Sequence, residues 1–135
     1  MSTPAETIIA ALRDTAKRFL EDGRGSHDWE HTERVLRLCL RLGPEEGADP
    51  AVLAAAALLH DIGRHHQDAA NGALCHADKG AALAAPLLEG LPLSAAQREN
   101  VLHCIRAHRF RNAAPPATIE ARVLFDADKL DAIGA

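Results

Sequence analysis

Residues Val52-Leu53-Ala54-Ala55-Ala56-Ala57-Leu58-Leu59 are apolar without interruption and run directly into His60-Asp61-Ile62-Gly63. Alanine and leucine are strong helix formers, and Asp49-Pro50 supplies a cap and first-turn pair, so a helix is expected from Ala51 to about Ile62. A helix apolar on every side can only be central, enclosed by other helices. Gly63 reads as its left-handed C-terminal cap. Two ionisable residues, His60 and Asp61, stand at the end of the most buried element and therefore need partners.

The enclosing helices are legible from caps and spacing. Thr3-Pro4-Ala5-Glu6 has the form of a capping box, with Ile8, Leu12, Ala16 and Phe19 following at helical intervals until Gly23 and Gly25. A second helix is expected over 28–42, with His31, Val35, Leu38 and Leu42 on its inner stripe and Gly43, Pro44 and Gly47 breaking it. Residues 64–74 read as an exposed loop, and a fourth helix should start near His76 and end or kink at Pro86. Ser94-Ala95-Ala96-Gln97 is a second capping box, opening a helix on which Val101, Ile105 and His108 share a face. Pro115-Pro116 falls in a turn, and Thr118 caps a last helix carrying Ile119, Val123, Leu130 and Ile133. No strand or repeat stands out, so the expected fold is all-α, a compact bundle of about six helices.

At 135 residues the chain is one domain's worth, and its aromatic share of 3% further disfavours a β architecture. Net charge is −4 and no run of Lys or Arg occurs, which argues against a nucleic-acid polymer or a membrane surface as partner. No apolar stretch reaches membrane-spanning length and no basic-then-apolar leader opens the chain. Cys39, Cys75 and Cys104 lack CxxC spacing and read as free thiols in a reducing cytoplasm.

Histidine carries the functional signal, with eight in the chain and no tag-like run. The ordered set His31, His60, Asp61 and Asp128 offers imidazole nitrogens and carboxylate oxygens from three helices, the mixture a divalent cation of borderline hardness takes while leaving positions open for water and substrate. Asp126 is the alternative to Asp128. Periodicity places Asp126 with Val123, Leu130 and Ile133, and residues two apart on a helix diverge by roughly 200°, so both cannot serve one ion.

Four elements in order resemble the HD superfamily of metal-dependent phosphohydrolases. They are the segment from His27 through His31 to Val35, the His60-Asp61 pair that gives that family its name, His76-Ala77-Asp78-Lys79-Gly80-Ala81, and Asp126-Ala127-Asp128-Lys129-Leu130-Asp131-Ala132-Ile133-Gly134-Ala135. The likeness spans about residues 27–135 and is nearest to bacterial single-domain members with a comparable last segment. It implies an all-helical fold, one divalent metal ion (Mn, Ni, Co, Mg, Fe or Zn) with room for a second in some branches, and hydrolysis of a phosphoester or phosphoanhydride. The expected substrate is a small phosphorylated metabolite, a nucleotide above all, attacked by water that the metal acidifies. The family pattern selects Asp128 over Asp126 as ligand.

The same resemblance makes His76 and His108 candidates for a second ion or for substrate. Arg64 and Lys129, each directly following a proposed ligand, are candidate phosphate contacts, and His27 could orient water or the leaving group. Arg34, three residues from His31, either binds phosphate or pairs with an aspartate of the site, the pairing being preferred. His65, His66 and His103 are expected to face solvent. The chain stops at Ala135, where similar proteins continue with further helices, so residues 1–135 are expected to form one domain lacking those helices, either truncated or completed by association as a homo-oligomer. The competing readings are a catalytically silent metal- and nucleotide-binding module, a two-iron oxidative enzyme, and a helical domain whose metal serves folding alone.

Overall fold

In the computed structural model, residues 2–21, 27–63, 76–108 and 115–133 are described. They form six α-helices and no strand: α1 (Pro4–Glu21), α2 (His27–Glu46), α3 (Pro50–Leu59), α4 (His76–Leu87), α5 (Ala95–Ala107) and α6 (Ile119–Ala132). The all-α expectation holds.

Helix α3 is the axis of the molecule. Every residue from Ala51 to Leu59 is buried, and α1, α2, α5 and α6 all pack against it, while α4 lies on α5. Each of Leu53, Leu58 and Leu59 leaves water almost completely, worth about 1.5–3 kcal/mol apiece. The four alanines between them present only methyl groups, which lets the neighbouring helices approach closely. Asp49 caps the helix by accepting from the Ala51 N–H at 2.9 Å, as its position suggests. The helix ends at Leu59, earlier than expected. His60 is the C-cap, and residues 60–63 form a turn, so Gly63 does not cap α3.

Helix α2 also differs from expectation, continuing through Gly43 and Pro44 to Glu46 before Gly47 turns it with φ +73°. Pro44 sits in the last turn, where a missing N–H costs little cooperative structure. Gly43 has a packing role. A Cβ there would stand 2.5 Å from Leu53 Cδ1, so the terminal methyl of Leu53 occupies the space a side chain would need.

The inner stripes shift in three helices. In α1 the buried set is Ala5, Ile8, Leu12, Ala16 and Leu20, with Phe19 only half-buried. In α2 Val35, Leu36 and Cys39 are buried while Leu38 and Leu42 are half-buried. In α6 the buried residues are Ala121, Val123, Leu124 and Ala127, whereas Ile119 and Ile133 are 44% and 78% exposed. Small Ala121 and Ala127 let α6 approach the bundle closely beside Val123 and Leu124, and Ile119 and Ile133 fall on the outer flank. That rotation puts Asp128 toward the interior and leaves Asp126 exposed.

The N-termini of three helices are tied together by polar groups. Asp49 accepts from Gln97 Nε2 at 2.9 Å through its second oxygen, and its backbone N–H donates to Glu120 Oε2 at 2.7 Å. Asn100 Nδ2 donates to Glu120 Oε1 at 3.0 Å, and Thr118 Oγ1 donates to Asn100 Oδ1 at 2.8 Å. Ser94 and Gln97 close the expected capping box at the start of α5, and Thr118 caps α6. The α3, α5 and α6 N-termini are thereby held in fixed register, with the ionisable cluster further along the same helices.

Candidate metal centre

His60 and His108 occupy equivalent places, each the C-cap of its helix. The last carbonyls of a helix have no intrahelical partner, and each ring uses one. His60 Nδ1 donates to the Ala57 carbonyl at 2.7 Å, and His108 Nδ1 donates to the Ile105 carbonyl at 2.6 Å. With Nδ1 carrying the proton, Nε2 presents its lone pair to the interior. The two rings meet edge to face, centroids 5.0 Å apart, and His31 from α2 meets His60 at 5.5 Å. Two helix C-termini, each with partial negative charge, thus converge on a polar interior that favours a cation.

Carboxylates complete the cluster. His31 Nε2 lies 2.8 Å from Asp128 Oδ1 and 3.9 Å from Asp61 Oδ2. His60 Nε2 is 3.5 Å from Asp61 Oδ2 and 3.6 Å from Asp128 Oδ1, and Asp61 Oδ1 is 3.4 Å from His108 Nε2. His60 is fully buried, and its Nε2 makes no hydrogen bond. Single ligand atoms of His31, His60 and Asp128 all lie within 4.8 Å of one another.

This donor set suits a divalent ion. Ligands held about 2.1 Å from a metal are about 3.0–3.4 Å apart along an octahedral or tetrahedral edge, close to the His60–carboxylate separations. A buried imidazole nitrogen without a hydrogen bond, aimed between two carboxylates, is the arrangement that coordination would satisfy.

Without an ion, protons balance the charge. Hydrogen bonding to Asp128 raises the His31 pKa against the opposing effect of burial. Burial pushes His60 down, but the charge of Asp61 and the neighbouring Asp128 outweigh it and lift the ring to about 9. Burial raises Asp128, yet His31 and His60 together hold its carboxyl well below the usual range. Nearby Cys39 is driven up to about 12 by burial and then by Asp128.

The structure therefore brings together His31, His60, Asp61, Asp128 and His108. Asp126 is exposed on another face. Lys129 does not join the cluster, because adjacent helical residues diverge by about 100°, and its Nζ lies 4.5 Å over the Phe125 ring. Arg34 pairs with an aspartate, its Nε donating to Asp131 Oδ1 at 2.7 Å. His103 is half-buried rather than solvent-facing, accepting the Ala117 N–H at 2.9 Å. Arg64, His65, His66 and Cys75, and the side chains of His27 and His76, lie outside the described residues.

Asp131 is the residue the sequence reading missed. Its oxygens meet His31 Nδ1 at 2.6 Å and Arg34 Nε at 2.7 Å. The signal was available, since Asp131 stands three residues after Asp128 on one helix face, as Arg34 does after His31.

Comparison with known proteins bears on the family and the fold. The chain is 32% identical over 131 residues to the uncharacterized protein YpgQ of Bacillus subtilis, covering 92% of this chain and 60% of that protein. It is 29% identical over 121 residues to ribonuclease Y of Borreliella burgdorferi, covering 90% of this chain but 22% of that enzyme. The chain thus spans about three fifths of YpgQ and a smaller part of the ribonuclease. Among solved structures, a predicted HD superfamily hydrolase from an uncultured Thermotogales bacterium superposes with a TM-score of 0.80 at 32% identity, over 94% of this chain and 70% of that one. A Lactobacillus plantarum protein gives 0.71 at 31% identity, over 100% and 59%. The HD domain family model matches residues 28–133, from the helix that carries His31 to the end of the helix that carries Asp128, and on that match the chain belongs to the HD domain family.

Proposed function

We propose that this domain is a metal-dependent phosphohydrolase, with His31, His60, Asp61 and Asp128 as the ligands of one divalent cation and a nucleotide as substrate. The observation that carries the reading is the convergence of imidazole and carboxylate donors from three helices around the buried His60 Nε2, which makes no hydrogen bond. A divalent cation bound there supplies Lewis acidity toward water and phosphoryl oxygens.

The chain's own groups define what such a site does. The Ala57 and Ile105 carbonyls keep His60 and His108 in the tautomer whose Nε2 faces inward. Asp61 faces His60 and His31 with one oxygen and His108 with the other, and in this reading His108 steadies Asp61 or shares a second ion. In this reading Arg64 and His27 serve the phosphate and the leaving group, and His76 the second ion. Lys129 has no part in it.

The test is hydrolysis of a panel of nucleoside mono-, di- and triphosphates with Mn²⁺, Mg²⁺, Co²⁺ or Ni²⁺, assayed for phosphate and pyrophosphate. A short RNA belongs in the panel because of the ribonuclease Y likeness. Metal-dependent turnover of a nucleotide is expected. Stoichiometric metal with nucleotide binding and no turnover would replace the enzyme with a silent binding module.

A further inference from the structure

His60 and His108 are oriented by free carbonyls at the ends of their own helices, but His31 has no such resource. It lies near the start of α2, where the surrounding carbonyls are engaged in the helix ladder. Its Nδ1 instead meets Asp131 Oδ2 on α6 at 2.6 Å, and the Asp131 side chain is only 8% exposed. The other Asp131 oxygen accepts from Arg34 Nε at 2.7 Å.

The four residues form two matched pairs. His31 and Arg34 are one turn apart on α2, and Asp128 and Asp131 are one turn apart on α6. His31 touches both aspartates through different ring nitrogens, at 2.8 Å and 2.6 Å. Asp128 and Asp131 therefore stand at opposite ends of one ring, and a ring that donates Nδ1–H to Asp131 turns Nε2 toward Asp128, His60 and Asp61.

We infer that Asp131 is a positioning residue of the metal centre, fixing the tautomer and orientation of His31 through Nδ1 while Arg34 fixes the carboxylate. The inference rests on the metal reading above and adds a residue to it. A carboxylate behind a ligating histidine both orients the ring and strengthens it as a donor, and loss of such a partner typically weakens metal binding by about 10–100-fold. The Arg34 guanidinium is half exposed, so breaking its ion pair alone should matter far less.

The experiment measures Zn²⁺ affinity of the full chain by competition with a chromophoric chelator, alongside the ¹⁵N resonances of His31 in the Zn²⁺-loaded protein. Asp131→Asn should lower affinity by about 10–100-fold with the helical circular dichroism intact. Arg34→Gln should lower it by no more than about fivefold. The wild-type His31 should show a protonated Nδ1 and a metal-bound Nε2. Equal losses in the two variants would reduce Asp131 to an interhelical salt-bridge partner and overturn the inference, as would unchanged affinity in Asp131→Asn. If Asp131→Asn fails to fold, the wild-type tautomer decides, and an unprotonated or zinc-bound Nδ1 overturns it. None of these readouts needs turnover, so an inactive wild type that binds zinc through His31 Nε2 counts against the hydrolase alone. A wild type that binds no zinc removes the metal reading and this inference together.

Discussion

Without metal, the stability of this chain should fall as pH rises above neutrality. In the metal-free chain His60 is fully buried, and Asp61 and Asp128 outweigh burial to raise its pKa from 6.5 to about 9. A raised folded-state pKa contributes stability that is fully present below the unfolded value of 6.5 and is lost as pH rises through about 9. The span corresponds to about 3 kcal/mol, which in a domain of this size is roughly a 10 °C fall in Tm. His31, raised chiefly by its hydrogen bond to Asp128, acts in the same direction. In the loaded protein the ion competes with those protons, so stabilisation by metal should grow over the same range. Melting curves between pH 6 and pH 10, in EDTA and in saturating Mn²⁺, should therefore diverge with rising pH. His60→Gln should flatten the EDTA curve. A Tm in EDTA that is level or rises from pH 6.5 to pH 9 would refute the account of His60 as a proton-stabilised empty ligand.

Asp61→Ala should lose bound metal and hydrolysis together, measured by elemental analysis and phosphate release, whereas Lys129→Ala should retain both within about twofold because its ammonium lies over Phe125. Arg64→Ala, if that side chain holds a phosphate oxygen, should keep the metal and lose about ten- to a hundredfold in kcat/KM. Gly43→Ala should change stability by no more than about 1 kcal/mol in urea melts, since the gain in helix propensity offsets the cost of moving the terminal Leu53 methyl, which the new Cβ would meet at 2.5 Å. A loss of more than about 2 kcal/mol would mean that the Leu53 side chain cannot move aside.

The sequence revealed most clearly what local chemistry controls. Caps at Thr3, Asp49, Ser94 and Thr118 depend on a few neighbouring residues and appear where expected. The apolar run of α3 could have only one environment, and it has it. Helix faces were less legible because α6 carries two apolar stripes, and which of them turns inward depends on how closely its alanines let it approach the other helices. Periodicity accordingly favoured Asp126, while the resemblance favoured Asp128, the aspartate found beside His31 and His60. Gly43 looked like a breaker because a close approach between α2 and α3 cannot be seen in either segment alone. Asp131 was hidden for a similar reason. Its meaning depends on His31 and Arg34, about a hundred positions earlier in the chain.

The polar ties among Asp49, Gln97, Asn100, Thr118 and Glu120 bear on how relatives of this domain can vary. From Asp49 to His60, from Asn100 to His108 and from Glu120 to Asp128 there are 11, 8 and 8 residue steps. Those are spans of about 16, 12 and 12 Å of helix. One residue inserted within any of them would advance its side chain by about 1.5 Å and swing it by about 100°, enough to remove it from the cluster. Segments 64–75 and 109–114, which follow Gly63 and His108 in the chain, lie outside these measured lengths. A change of length there leaves all three of those spacings untouched, so the donor set constrains the length of the helices and not that of the chain between them.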